Sequence, residues 1–183
     1  MADGVPLNGL LFATRRLRVR TWEEHDLDAF ARLTRDQRVM RFVGDGKVFT
    51  LARTARWIRR TRQNNQRGFG AFAATMDDAV VGWCSFGPGE DGPFPEVVEF
   101  GYALAPAHWG QGLGGELAAA LVQFLKHRWP GVVLTASVDP ENVASIRILE
   151  RLELQAVREG VDGDGLPTRW YRLEWSEPSF SGN

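Results

Sequence analysis

The stretch His108-Trp109-Gly110-Gln111-Gly112-Leu113-Gly114-Gly115-Glu116 puts four glycines within six residues, directly ahead of a helix-like run. Successive bare N–H groups at a helix start form an anion nest, reinforced by the helix dipole, and glycine lets an oxygen-rich group approach with no Cβ in the way. The plain alternative is a tight turn whose glycines only permit positive φ. Gly110-x-Gly112-x-x-Gly115 also matches the dinucleotide-binding fingerprint, with Asp139 at the end of the following strand. Three features count against that reading. Ala105 to Trp109 intervene where the first glycine should abut a strand, about 100 residues of other elements come first, and Asp139 leads into Pro140 and a helix. A P-loop needs Gly-Lys-Ser/Thr, and Gly115 is followed by Glu116.

Few other residues offer a ready-made chemistry. The histidines His25, His108 and His127 do not form a ligand set, and Cys84 is the single cysteine, so disulfide and cysteine-metal frameworks are excluded. Cys84 falls within a strand pattern and reads as a core thiol. Asn142 and Ser145 lie three apart on the first turn of a helix and share a face. On their own they read as a cap and a hydroxyl that satisfies a backbone carbonyl.

The elements that must position these groups follow from periodicity. Leu17–Trp22 alternates as a strand, Thr21 to Glu24 fits a capping box for a helix through about Leu33, and Thr50 caps a helix over 51–64 decorated with Arg53, Arg56, Arg59, Arg60 and Arg62. Phe69–Thr75 and Ala79–Phe86 flank Asp77-Asp78 as a hairpin, and Val97–Leu104 is the next strand. Residues 112–128 form a helix with Leu117, Leu121, Phe124 and Leu125 on one face. Val132–Val138 is a strand, Asn142–Leu152 a helix, and Leu154–Glu159 and Thr168–Trp175 a closing hairpin. The fold class is α/β (α+β): a mixed sheet with helices on its faces, in one domain of 183 residues whose core runs from about 14 to 175, with tails at 1–13 and 176–183.

Composition is that of a soluble chain, with 44% hydrophobic and 25% charged residues. The net charge of −1 gives no support to a nucleic-acid or membrane partner. The charge is uneven: residues 1–70 hold 15 Arg/Lys against 7 Asp/Glu, and the remainder 7 against 16. No signal peptide and no apolar run of about 20 residues is present, so the expectation is a cytoplasmic protein.

The motif order resembles the GNAT acyltransferases, whose Arg/Gln-x-x-Gly-x-Gly/Ala signature falls here on Trp109-Gly110-Gln111-Gly112-Leu113-Gly114. An aromatic residue at the first position, together with ATRRLRVRTWEEHDLDAF, VEFGYALAPAHWGQG and DPENVASIRILERLEL, is similar to the branch of the ribosomal-protein N-terminal acetyltransferases. The departure is Glu153, where that branch carries Gly at the end of the last helix. The resemblance implies a mostly antiparallel sheet splayed between its fourth and fifth strands, and acetyl-CoA as acyl donor with no metal. It places the pyrophosphate on Gln111, Gly112, Leu113, Gly114 and Gly115 and pairs the pantetheine arm with Tyr102 and Leu104. A bulge near Gly101 would start the splay. Asn142 would bond the pantetheine, and Ser145 would face the thioester sulfur. The acceptor would be a primary amine, on a protein N-terminus or a small molecule, and a homodimer is left open. Attack requires a neutral amine, and Glu99, acting through water, is the candidate base, with Glu159 second. Strand alternation sets Glu99 opposite Tyr102, an objection that only a local irregularity would lift. A catalytically silent CoA-binding module on the same fold is the competing reading. The arginine stripe reads as a wet face or as a lip that attracts acids.

Overall fold

The structure is a computed structural model that describes residues 9–89 and 91–174. Eight strands form one sheet: β1 (Leu10–Ala13), β2 (Arg18–Arg20), β3 (Gly70–Met76), β4 (Ala79–Pro88), β5 (Val97–Leu104), β6 (Val133–Val138), β7 (Gln155–Val161) and β8 (Pro167–Glu174), in the order β1-β2-β3-β4-β5-β6-β8-β7. Every neighbouring pair is antiparallel except β5 and β6, which are parallel. The helices are α1 (Leu27–Thr34), α2 (Gln37–Met40), α3 (Leu51–Asn65), α4 (Leu113–Arg128) and α5 (Val143–Arg151). The mixed, mostly antiparallel sheet with helices on both faces is the expected fold class.

Strand alternation sorts the core into two layers. Phe72, Ala74, Cys84, Phe86, Val98, Phe100 and Leu104 pack with Leu117, Leu121 and Leu125 of α4 and Leu149 of α5 on one face. Ala71, Ala73 and Trp83 pack with Phe30 and Leu33 of α1 and Ile58 of α3 on the other. Phe30 stacks on Trp57 of α3 with ring centroids 4.4 Å apart, which joins the two helices of that layer.

Most expected elements are present, with three corrections. Leu10–Ala13, read as tail, is an edge strand, because β2 offers it a ladder. The expected end of the last strand at Trp175 lies outside the described residues. The first helix is entered by a reciprocal capping box between Glu23 and Asp26, not from Thr21. Buried Asp26, 2% exposed, accepts two bonds from the Arg20 guanidinium, at 2.6 and 3.0 Å, and one from the Glu23 amide at 2.8 Å. The short α2 carries too few residues for a periodicity to show. The Thr50 cap holds as read, its hydroxyl accepting from the Arg53 amide at 3.2 Å. Asp77 and Asp78, at φ 49° and 62°, make the β3–β4 turn with both central residues left-handed, as the right-handed twist of a two-residue hairpin demands. Glu153 takes φ 68°, the conformation a glycine would adopt there, and Leu154 closes α5 with its amide on Leu149 O at 3.1 Å. The helix end survives the departure, with backbone strain at one residue.

Candidate active site

Past β5, a 3-10 turn (Pro106–His108) delivers the chain to the glycine loop. Gly110 and Gly112 sit at φ 72° and 76°, and Gly112 is the N-cap of α4. The Glu116 amide makes the first intrahelical bond, to Gly112 O at 3.1 Å, so the amides of Leu113, Gly114 and Gly115 head α4 with no carbonyl four residues earlier inside it. That is the geometry of an anion nest at the positive end of a 16-residue helix. The four glycines divide by cause. Gly110 and Gly112 are required by backbone conformation. Gly114 is required by packing, since a Cβ there would lie 3.3 Å from Ile148 Cδ1 and 3.7 Å from Tyr102 Cε2. Gly115 has neither cause: its φ is ordinary, and a Cβ would meet nothing within 4 Å. Gly115 leaves a bare stretch of backbone at open space.

Two residues that the sequence reading missed pin this loop. Arg16 donates through Nη1 to Gln111 O at 3.0 Å and through Nε to Glu116 Oε2 at 2.7 Å, and its amide reaches Glu116 Oε1 at 2.9 Å. The Thr14 hydroxyl donates to the same Oε1 at 2.5 Å. Burial alone would raise the Glu116 pKa, but these bonds outweigh it and hold the carboxyl below its usual range. No sequence signal links positions a hundred residues apart; only the acid in the first helical turn hinted at a partner. Trp109 is 48% exposed and donates its indole N–H to Leu104 O at 2.7 Å.

The sheet opens beside the loop. β5 and β6 pair only over Val97↔Val133, Val98↔Leu134 and Glu99↔Thr135, and no backbone pair joins Gly101–Leu104 to β6. The Glu96 carbonyl accepts from Val133 and the Leu104 carbonyl from Trp109, so the even-numbered peptides of β5 point into the opening. Tyr102 therefore presents backbone groups there. Leu104 presents its N–H, its carbonyl being taken by the Trp109 indole. The splay lies between the fifth and sixth strands because β1 adds one to the count. Gly101 is not a bulge: the β4–β5 register runs unbroken from Gly82↔Leu104 to Pro88↔Val98.

A cavity of about 500 Å³ occupies the opening, with Phe42, Trp57, Arg60, Glu99, Asn142 and Ser145 in its wall. Glu99 and Tyr102 do stand on opposite faces of β5, but once the strands separate, both faces reach the gap. The splay, not a bulge, removes the parity objection. Ser137 donates to Glu99 Oε1 at 2.7 Å. Asn142 caps α5, its Oδ1 accepting from the Ser145 amide at 3.2 Å, as the plain reading had it. The Ser145 hydroxyl makes no bond to a backbone carbonyl among the described residues. It lies beside the Tyr102 hydroxyl without good hydrogen-bond geometry. Burial raises the Tyr102 pKa above its usual 10.0, the Ser145 side chain opposing, so the phenol keeps its proton. Glu159 is elsewhere: it pairs with Arg169 at 2.8 Å on exposed β7 and lines neither this cavity nor its neighbour. Cys84 is fully buried and its thiol is pushed up to about 12, which makes it inert.

A half-open parallel strand pair ending at a glycine nest defines an acyltransferase-type fold. Residues 16–155 match the acetyltransferase (GNAT) domain, and the chain belongs to that family. The Bacillus subtilis (strain 168) protein YkkB, which bears no functional description, is 30% identical over 144 residues, 76% of this chain and 81% of that protein. Among solved structures, RimL, a ribosomal L7/L12 α-N-protein acetyltransferase in complex with coenzyme A, superposes with a TM-score of 0.77 at 18% identity, covering 90% of this chain and 97% of that one. The yncA protein of Salmonella typhimurium with acetyl-CoA gives 0.68 at 22% identity, covering 91% and 98%.

Proposed function

We propose that this protein transfers the acetyl group of acetyl-CoA to a primary amine by direct attack. The observation that carries the reading is the β5–β6 opening, beside which Gly114 at the head of α4 packs close to Tyr102 and Leu104, and whose cavity is lined by both Glu99 and Ser145. The coenzyme A and acetyl-CoA complexes of structural neighbours support the choice of donor. The pyrophosphate rests on the loop from Gln111 to Gly115. The amide chain of the pantetheine pairs with the open edge of β5 at Tyr102 and Leu104 and meets the Asn142 side chain. Glu99, directly or through water, takes a proton from the arriving ammonium. The freed lone pair forms the C–N bond; as the C–S bond breaks, the nitrogen sheds its extra proton and the departing thiolate takes one up through the Ser145 hydroxyl, which is left unchanged.

The test is calorimetric titration with acetyl-CoA, followed by release of free CoA thiol across a panel of amines. Binding with turnover of at least one amine supports the proposal. Binding without turnover of any amine leaves a silent CoA-binding module, and absence of binding refutes the donor assignment.

A further inference from the structure

Glu99 and Ser137 line a second cavity as well as the first. It holds about 450 Å³ and lies between the β4–β5 loop and the β7–β8 turn. Among the described residues its wall carries four carboxylates, Asp91, Glu99, Asp162 and Asp164, together with Trp170, and no Lys, Arg or His. Thr135, only 4% exposed, also lines it, and among the described residues its hydroxyl makes no hydrogen bond. On an otherwise buried residue, this unpartnered hydroxyl opens onto the cavity, where it can donate to or accept from a bound group. A glycine keeps the junction open: a Cβ at Gly89 would lie 3.0 Å from Glu99 Cβ and 3.4 Å from Thr135 Oγ1.

The carboxylates differ in what they are free to do. Asp162 uses its oxygens on its own turn, accepting from the Asp164 and Leu166 amides at 2.9 Å each and from the Thr168 hydroxyl at 3.3 Å. It contributes charge, while exposed Asp91 and Asp164 line the space. The nearby cations are turned to other partners: Arg158 lies 3.8 Å over the Trp170 ring, and Arg169 holds Glu159. Among the described residues, no three acidic, His or Cys side chains gather closely enough to hold a metal ion. Charge spread along a cavity suits an extended cation rather than a point ion. Arg60 stands in the first cavity, so the acidic character begins at Glu99 and grows away from the donor side.

We propose that the acceptor is an aliphatic diamine or polyamine. One amine meets Glu99 at the junction of the two cavities and is acetylated; a second, still an ammonium, lies in the acidic cavity among Asp91, Asp164 and the Thr135 hydroxyl. This inference rests on the acetyl-transfer reading and adds no new chemical step. An α-amino acid would bring a carboxylate toward four others, and a monoamine would leave the second cavity unused.

The experiment compares kcat/KM for 1,4-diaminobutane and spermidine with n-butylamine, alanine and an uncharged peptide N-terminus, at saturating acetyl-CoA. The diamine should exceed n-butylamine by at least about tenfold. That preference should fall at least fivefold in the Asp91→Asn/Asp164→Asn double variant and shrink with added salt. Asp28→Asn, an equal charge change on α1, should keep it. Equal or better use of n-butylamine, alanine or the peptide overturns the proposal, as does an undiminished preference in the double variant. If acetyl-CoA binds but no amine releases thiol, the acetyl-transfer reading fails by itself. Calorimetric binding of spermidine then decides the cavity: binding abolished in the double variant supports the polyamine site, and absence of binding overturns it.

Discussion

Replacing Gly115 with Asp separates protein stability from ligand binding, because the two should move in opposite directions. The side chain enters open space, with no atom within 4 Å of the new Cβ, and needs no unusual backbone. It sits at the third position of α4, where an acid interacts favourably with the helix dipole and any residue but proline outperforms glycine. Together these effects stabilise the fold by about 0.5–1 kcal/mol. The same carboxylate occupies the surface assigned to the pyrophosphate. Two unit charges about 4 Å apart repel by about 1 kcal/mol even at the dielectric of water. A diphosphate carries two, so the loss is about 2 kcal/mol, roughly thirtyfold in Kd. The assay is calorimetric titration with acetyl-CoA at low and high salt, with thermal unfolding of the same samples. Gly115→Asn keeps the shape without the charge and should lose only the steric part. A Gly115→Asp protein that is folded and binds acetyl-CoA as tightly as the unmodified one would show that the nest does not seat the pyrophosphate.

Ser145→Ala should lower turnover by about 10²-fold or more while acetyl-CoA affinity stays nearly constant, since hydroxyl assistance acts on the leaving group; a loss under twofold with chemistry rate-limiting returns Ser145 to a packing role. Glu99→Gln should move the rise of activity with pH to higher pH, with partial rescue in alkali, and Glu159→Gln should leave the profile unchanged; identical profiles for Glu99→Gln and the parent enzyme across pH 6–10, a range that spans amine pKa values of roughly 8 to 10, would remove the base assignment. Asp26→Asn should cost about 2–4 kcal/mol in denaturant unfolding, because it removes the buried charge that the Arg20 guanidinium holds with two bonds and leaves that cation the more distant Glu23 carboxylate. Burial alone would raise the Asp26 pKa, but the Arg20 and Glu23 bonds win and lower it. Its contribution is therefore complete above the usual carboxylate value of 3.8 and is lost as pH falls through the depressed value, so the variant should show a flatter acid limb.

The sequence disclosed the parts of this molecule that rest on local chemistry. Thr50, Asp77-Asp78 and the α4 stripe were legible because caps, turns and amphipathic faces act over a few residues. The glycine loop was legible as a glycine-led helix start, yet the separate causes of its glycines were not: the Gly114 contacts come from Ile148 and Tyr102, both distant in sequence. The fate of Glu99 turned on where the parallel pairing stops, a tertiary property that alternation along one strand cannot report. Asn142 met its plain expectation as a cap and still faces the cavity, so the two readings of that residue are compatible. Arg16 and Thr14 carried no sequence signal, because their partner Glu116 is a hundred residues away. The acidic cavity was invisible because Asp91 and Asp164, each an ordinary loop carboxylate, come to line one space only when the β7–β8 hairpin folds back beside β6.

The Thr14–Arg16–Glu116 knot has a consequence for motion. It ties the first turn of α4 to the segment between β1 and β2, at the outer edge of the sheet. A ligand held by the glycine loop must then resist any fluctuation that frays that edge by breaking the knot. At a donor concentration of about 100 Kd, linkage adds about 2.7 kcal/mol to such openings. Amide hydrogen exchange in Leu10–Ala13, far from the reacting atoms, should therefore slow by up to about a hundredfold on acetyl-CoA binding. The outermost strand would serve as a remote gauge of donor occupancy, and Glu116→Gln should disconnect it.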